Sequence, residues 1–180
     1  MTVDELRNWL EEHIDEIFAF MDYEATLRDD EEMMRDLGKY WFDGKENWNP
    51  SNYRFVHLGH DGTGSDVAAW IRPGVDGPPP IVVFGSEGGT GVLTTSPLAW
   101  AQIVAHGVEL DTYSEPACVG KEEDHDRDEE EEAEAQAGLT AYRKAVEARF
   151  GALPTLETLT SGLDELNAVF NGWIAGVLEG

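Results

Sequence analysis

Hydrophobic residues in the first part of the chain follow a helical period. From Leu6 to Met21 they recur at spacings of three and four, with aspartate and glutamate on the other side. This pattern is typical of an amphipathic helix and predicts one over residues 3–22. Residues 23–37 predict a second, less apolar helix that ends at Gly38, because glycine commonly terminates helices.

The period changes between Arg54 and Gly107, where short β-branched runs alternate with glycine-rich turns. The predicted order is strand 55–58, turn 61–64, strand 67–71, loop 73–80, strand 81–84, turn 86–91 and strand 92–94. Residues 81–84 are apolar throughout, which is typical of a strand buried on both faces. Residues 108–120 fit either a strand or a loop. Short strands joined by tight turns predict an antiparallel meander.

Three more helices are predicted after the meander. Ser96 caps the first of them and Gly107 ends it. Apolar residues from Leu139 to Phe150 give the second helix a buried side, and residues 160–161 cap the last one. The predicted fold is therefore α+β, with a small antiparallel sheet of about four to six strands flanked by N-terminal and C-terminal helices.

A dense acidic run divides the chain. Most residues between Glu122 and Glu134 are aspartate or glutamate. Like charges this dense repel one another and favour a solvated, flexible segment. The expected organisation is a core over residues 1–118, an acidic flexible linker over 119–137, and a helical segment over 138–180 that packs on the core.

The net charge narrows the range of possible partners. The 180 residues include 37 acidic and 12 basic side chains, which give a formal net charge of -25. A chain of this charge repels nucleic acid and anionic membrane surfaces and attracts basic proteins. We therefore expect a basic protein as partner, with no nucleic acid and no membrane.

Cysteine content and targeting features favour a soluble cytoplasmic protein. Cys118 is the single cysteine, which excludes an internal disulfide framework. The N-terminus is acidic and helical, unlike a signal or transit peptide. No apolar run approaches the roughly 18 residues of a membrane span.

No residue pattern indicates an enzyme. A metal site could be proposed from His57, His60 and Asp61, but strand alternation would point the two histidines to opposite faces. Ser86 lacks the G-x-S-x-G context, Cys118 has no identifiable partner base, and the turn at residues 85–91 has no Walker lysine. The acidic run lacks the spacing of an EF-hand loop. We therefore expect no catalytic residue, no metal and no cofactor.

Residues 39–53 are rich in aromatic side chains, including Trp41 and Trp48. Two interpretations stay open. Tryptophan and tyrosine dominate the energetics of many interfaces, so the segment could bind a partner. Alternatively, the rings fix the neighbouring helices onto the sheet.

The central stretch resembles the SMI1/KNR4 (SUKH) superfamily. An LGxDGxG turn follows the first strand at residues 58–64, the next strand carries Trp70, and an apolar strand ends in GSEG at residues 85–88. A serine-capped helix with Ser96 and Trp100 comes after them. Each motif is short, and the resemblance depends on their order and spacing. It implies a SUKH-like α+β core.

The resemblance implies an interaction protein. Proteins of the SUKH type are widespread as bacterial immunity proteins, each of which neutralises a cognate toxin, often a nuclease or a nucleic-acid deaminase. The expected function is therefore binding of a basic secreted toxin and occlusion of its active site. The alternative is an intracellular regulatory or scaffold module of the same type, with no toxin involved.

The expected partner-binding residues lie near the aromatic segment and the central turns. Two tryptophans would anchor the interface, and five carboxylates would face the basic cleft of the toxin. These residues are Trp41, Asp43, Glu46, Trp48, Asp61, Asp66 and Glu87. An acid excess that only reflects a salt-adapted host would instead cover the whole surface evenly.

Overall fold

The computed structural model describes residues 1–21, 23–24, 29–121 and 127–179. These residues form an α+β fold around a five-stranded antiparallel sheet, which confirms the predicted fold class. Its strands lie side by side in chain order, as expected for a meander. They are β1 (Tyr23–Glu24), β2 (Arg54–Asp61), β3 (Asp66–Ile71), β4 (Ile81–Phe84) and β5 (Thr90–Thr94).

Helices cover both faces of this sheet, and a second hairpin lies beside it. The helices are α1 (Val3–Glu12), α2 (Ile14–Met21), α3 (Asp30–Asp36), α4 (Pro97–Val104), α5 (Glu129–Phe150), α6 (Leu156–Leu159) and α7 (Asp164–Glu179). A π-helical turn at Leu37–Trp41 continues α3. The hairpin consists of β6 (Val108–Asp111) and β7 (Cys118–Lys121), so the ambiguous residues 108–120 contain two strands.

The two faces of the sheet belong to two hydrophobic cores, because successive side chains of a strand point to opposite sides. Strand β4 contributes to both. Ile81 and Val83 lie in the first core, with α1, α2, α4 and α5. Val82 and Phe84 lie in the second core, with α3 and α7. The continuous apolar run of β4 is thus buried on both faces, as predicted.

Helix α7 closes the second core with aromatic side chains. Phe170 is fully buried and its ring centroid lies 5.0 Å from that of Trp70 and 5.6 Å from that of Phe84. Trp173 meets Tyr53 edge to face at 5.1 Å and stacks on Phe55 at 5.7 Å. The C-terminal helix is therefore part of the hydrophobic core.

The N-terminal helices differ from the prediction. The predicted helix over residues 3–22 is broken at His13, whose ring packs on Trp9 at a centroid distance of 4.3 Å. The break lets Leu10 of α1 and Ile17 of α2 both reach full burial in the first core. Burial of both residues favours a bent path around the core over one straight helix.

The second predicted helix, over residues 23–37, is wrong in its first part. Tyr23 and Glu24 pair with Asp61 and His60 as the edge strand β1. Tyr23 is fully buried there, and this tertiary contact overrides the local helical pattern. Residues 25–28 lie outside the described residues.

Parts of the segment predicted as an acidic linker over 119–137 lie in regular secondary structure. Residues 119–121 belong to β7, and residues 129–137 to α5. Asp128 caps α5 by accepting hydrogen bonds from the N–H groups of Glu130 and Glu131. Carboxylates in a first turn are stabilised by the helix dipole, which offsets their mutual repulsion. Residues 122–126 lie outside the described residues.

A buried hydrogen-bond chain joins three helices of the first core. The Trp9 indole N–H of α1 donates to the Tyr142 hydroxyl of α5 at 3.1 Å. That hydroxyl donates to the Ala101 carbonyl oxygen of α4 at 3.2 Å. Burial raises the pKa of the Tyr142 phenol, and burial also raises the pKa of Tyr23.

Alkaline pH should therefore destabilise the fold. Because Tyr23 and Tyr142 ionise less readily when folded, the unfolded chain releases their protons first. Stability contributed by these phenols is complete below the unfolded pKa of about 10 and falls above it. The loss reaches about 1.4 kcal/mol per pH unit for each tyrosine. Urea unfolding across alkaline pH would measure it. Tyr142→Phe should make the fall shallower, and an unchanged slope would contradict the assignment.

Candidate partner-binding surfaces

The predicted partner-binding residues do not form one surface. Trp41 and Trp48 lie against the second core. Asp61, Asp66 and Glu87 lie at the end of the sheet where β2 turns into β3 and β4 into β5. Asp43 and Glu46 are exposed in the loop that follows the π-helical turn. The residues fall into these three groups, which we consider in turn.

Both tryptophans are engaged in packing. The Trp48 ring stacks on Phe42 with a centroid distance of 4.8 Å and an interplanar angle of 11°. It also lies so close to Gly38 that a Cβ there would stand 2.6 Å from the indole nitrogen. Trp41 meets Phe84 edge to face at 5.3 Å. These contacts favour the interpretation in which the aromatic segment fixes its loop onto the sheet.

Asp61 organises the turn between β2 and β3. Its Oδ1 accepts hydrogen bonds from the Thr63 N–H at 3.0 Å, the Thr63 hydroxyl at 2.7 Å and the Ser65 N–H at 2.8 Å. Gly64 completes the turn with a positive φ of 87°. The predicted turn at residues 61–64 is present, and the carboxylate of Asp61 holds it together.

Ser86 links this turn to the next one. Its N–H donates to the Ser65 hydroxyl and its own hydroxyl donates to Thr63, each at 3.2 Å. The two turns at this end of the sheet are therefore joined by side-chain hydrogen bonds. These contacts account for Ser86 as a structural residue.

His57 and His60 lie on the same side of the strand, contrary to the expectation from alternation. A bulge between His57 and Gly59 shifts the register, and the two rings lie 6.4 Å apart. His57 is fully buried with its Nε2 3.0 Å from Asp66 Oδ1. Within the described residues, no group of three or more histidine, cysteine or acidic side chains is arranged to hold a metal ion.

Cys118 begins β7 and is exposed. Burial of its sulfur and the nearby Asp111 carboxylate raise the pKa of the thiol. A nucleophilic cysteine needs a lowered pKa. The environment of Cys118 therefore disfavours the thiolate at neutral pH.

A cleft lies between the β4–β5 turn and the loop of the β6–β7 hairpin, and we call it the acidic cleft. Its volume is about 380 Å³. The lining residues are Glu87, Gly88, Gly89, Thr90, Thr112, Tyr113, Glu115, Pro116 and Asn171. Both glutamates are exposed, and Tyr113 projects with 81% of its surface accessible. The cleft thus combines two carboxylates with a free aromatic ring.

Backbone contacts fix the hairpin that forms one wall of this cleft. A Cβ at Gly89 would stand 1.9 Å from the Thr112 carbonyl oxygen, and one at Gly91 would stand 2.0 Å from that of Ala117. Only glycine permits such approach. The glycine-rich turn is therefore needed for hairpin docking, and the Ala117 N–H donates to the Thr90 carbonyl oxygen at 3.0 Å.

A second, larger depression lies beside α7, and we call it the α7 groove. Its volume is about 760 Å³. The lining residues are Lys45, Glu46, Asn47, Pro50, Gly172, Trp173, Gly176 and Val177. The Lys45 ammonium group donates to the carbonyl oxygens of Val177 at 2.8 Å and Leu178 at 2.9 Å. These bonds satisfy orphan carbonyls at the end of the helix.

The sequence pattern identified Glu46, which lines the α7 groove, and Glu87, which lines the acidic cleft, as candidate binding residues. It missed Tyr113, Glu115 and Trp173. The hairpin forms one wall of the acidic cleft, and α7 forms one wall of the α7 groove. Both are placed by packing between residues far apart in the chain, which local sequence patterns do not indicate. The only local signal was the proline at position 116, which favours a loop close to Tyr113 and Glu115.

Comparison of the chain with protein-family models, curated proteins and solved structures finds no match. The resemblance to the SUKH superfamily stays a prediction. Among the described residues, no helix has the length and apolar character needed to cross a membrane.

Replacing Asp61 should show whether its carboxylate stabilises the turn between β2 and β3 through hydrogen bonds or through charge. Asp61→Ala removes the acceptor of three hydrogen bonds and should lower the free energy of unfolding by about 1–3 kcal/mol. Asp61→Asn keeps an oxygen acceptor and should lose clearly less. Urea unfolding of both variants is the measurement. Equal losses would show that the charge of Asp61, rather than its hydrogen bonds, stabilises the turn.

Proposed function

We propose that this protein is a bacterial immunity protein that acts in the cytoplasm by binding a basic toxin and covering its active site. The proposal depends on one observation, the distribution of the basic and acidic side chains over the protein. Among the described residues, several arginines are held by contacts within the protein, while most carboxylates are exposed. The SUKH resemblance supports the same reading, and the two tryptophan anchors expected from the sequence are replaced by the surfaces described above.

Four arginines make contacts within the protein. Arg7 Nη1 lies 3.5 Å from Asp30 Oδ1, and Arg54 also pairs with Asp30. Arg127 and Arg143 donate to backbone carbonyl oxygens at 3.1 Å and 3.0 Å. Their charges therefore compensate buried carbonyl oxygens and the carboxylates of Asp30 and Glu132. The acid excess of the chain is left to face solvent.

This arrangement suits a partner that itself binds nucleic acid. A nuclease or nucleic-acid deaminase presents a cationic cleft to the phosphate backbone. An acidic protein imitates that polyanion, and long-range attraction speeds the encounter. At short range, the acidic cleft offers Glu87 and Glu115 to an arginine or lysine, and the Tyr113 ring can add a cation–π contact.

Capture of the partner tests the proposal. The tagged protein should retain one basic protein from its own cells at about 50 mM salt, and part of it at about 0.5 M, because packed contacts resist screening. That protein should arrest growth when expressed alone and should be harmless when this chain is co-expressed. A retained basic protein that has no toxicity would favour the regulatory module instead. Loss of all proteins at high salt would contradict a specific pair.

Neutralising the acidic cleft should weaken the captured complex. The double variant Glu87→Gln/Glu115→Gln keeps side-chain size and removes two charges from the cleft. Affinity should fall roughly 10-fold or more, with a slower association rate, since interface charges steer encounter. The matched control is Glu147→Gln/Glu157→Gln, which removes two exposed charges from α5 and α6. Equal losses in both variants, measured by surface plasmon resonance, would assign the effect to net charge alone.

A further inference from the structure

We propose that the α7 groove is the docking site for a basic amphipathic helix of the partner. This inference rests on the proposed function, because it names how the same partner is held. It concerns a different surface from the acidic cleft and a different kind of contact. The groove would supply apolar burial, which long-range charge attraction does not provide.

The outer side of α7 is an uncharged strip in a highly charged protein. Residues 168–178 contain no acidic or basic side chain. Val169, on the same side of the helix as the groove glycines, keeps 52% of its surface exposed. An uncharged surface that adjoins a groove is typical of interaction sites in soluble proteins.

Two glycines on this strip have no role that the fold explains. Gly172 and Gly176 lie one helical turn apart, and a Cβ at either position would meet nothing within 4 Å. Glycine inside a helix lowers stability relative to alanine. By contrast, Gly138 of α5 is needed because a Cβ there would stand 2.7 Å from the Glu16 carbonyl oxygen. The open glycines on α7 leave room for another backbone to approach closely.

The groove also has a firm apolar floor and a fixed opposite wall. Trp173 is partly buried and its ring is held by Phe42 and Tyr53 at centroid distances of 5.7 Å and 5.1 Å. Lys45 ties the opposite loop to the end of α7 through its two hydrogen bonds. The walls are therefore held in place before a partner arrives, which limits the entropy cost of docking.

The acidic side chains around the uncharged strip favour a basic partner helix. Glu165, Val169, Gly172, Gly176 and Glu179 follow one another at helical spacings of three and four, so one acid stands at each end of the strip. Glu46 is exposed on the opposite wall. The ammonium group of Lys45 is engaged with helix carbonyls. An apolar floor about 15 Å long with an acidic rim fits a partner helix of about three turns that carries lysine or arginine at its ends.

A second copy of this chain fits the same strip poorly. If two α7 helices packed antiparallel, Glu165 of each copy would face Glu179 of the other. If they packed parallel, each glutamate would face its own equivalent. Like charges meet in both orientations, and each copy adds a net charge of -25. Charge complementarity therefore favours a basic partner over self-association.

Filling the strip provides the decisive experiment on the captured complex. Gly172→Leu/Gly176→Leu adds side chains into open space, so the melting temperature should stay the same or rise. Affinity for the captured basic protein should fall at least about 10-fold, because the partner backbone can no longer approach. The control is Ala148→Leu, which places leucine at an exposed position of α5. A stable variant with unchanged affinity would overturn the inference and leave the proposed function intact.

A synthetic probe tests the groove without the captured protein. The probe is a helical alanine–leucine peptide with lysine at both ends, and the control peptide carries glutamate instead. NMR titration should shift the Gly172 and Gly176 amides and the Trp173 indole with the lysine peptide only. Binding of this peptide without any capturable toxin would support the groove and argue against the proposed function. Shifts elsewhere, shifts with both peptides, or a dimer in sedimentation would overturn the inference.

Discussion

Burial of both faces of one small sheet is the constraint on which this structure depends. Strand β4 sends Val82 and Phe84 to one side and Ile81 and Val83 to the other, so neither face can be left to solvent. Helices from the start and middle of the chain cover the first face. The second face needs α7, and Phe170 is the ring that meets it. The chain must therefore return to the sheet at its far end before either core is complete.

The charge of the protein is compatible with this packing because of where the acids lie. Many stand in the first turns of helices, as Glu129–Glu132 do in α5, and there the helix dipole favours them. The arginines that approach the cores bring compensating donors to carbonyl oxygens. The surplus of negative charge is thus a property of the outer surface, and it leaves the two hydrophobic cores undisturbed.

The meander could be predicted from the sequence because alternation, glycine and proline act over a few residues. The four strands β2 to β5 and the capped helix α4 follow those local signals. Tyr23 could not be placed, because its strand exists only through pairing with Asp61. For the same reason, Glu46 and Glu87 were found as exposed acids, but the surfaces that contain them were not. The α7 groove depends on the contacts of Lys45 with the end of α7, and these contacts span most of the chain.

The docked hairpin has a consequence for how such a protein can change. Its position is set by main-chain contacts at Gly89 and Gly91, which are independent of the side chains at the hairpin tip. Tyr113 and Glu115 can therefore be exchanged during evolution without repacking the sheet. The fold thus separates the backbone contacts that attach the hairpin from the side chains that its tip presents to solvent. Substitutions at the tip would change the outer surface of the cleft while the core stays the same.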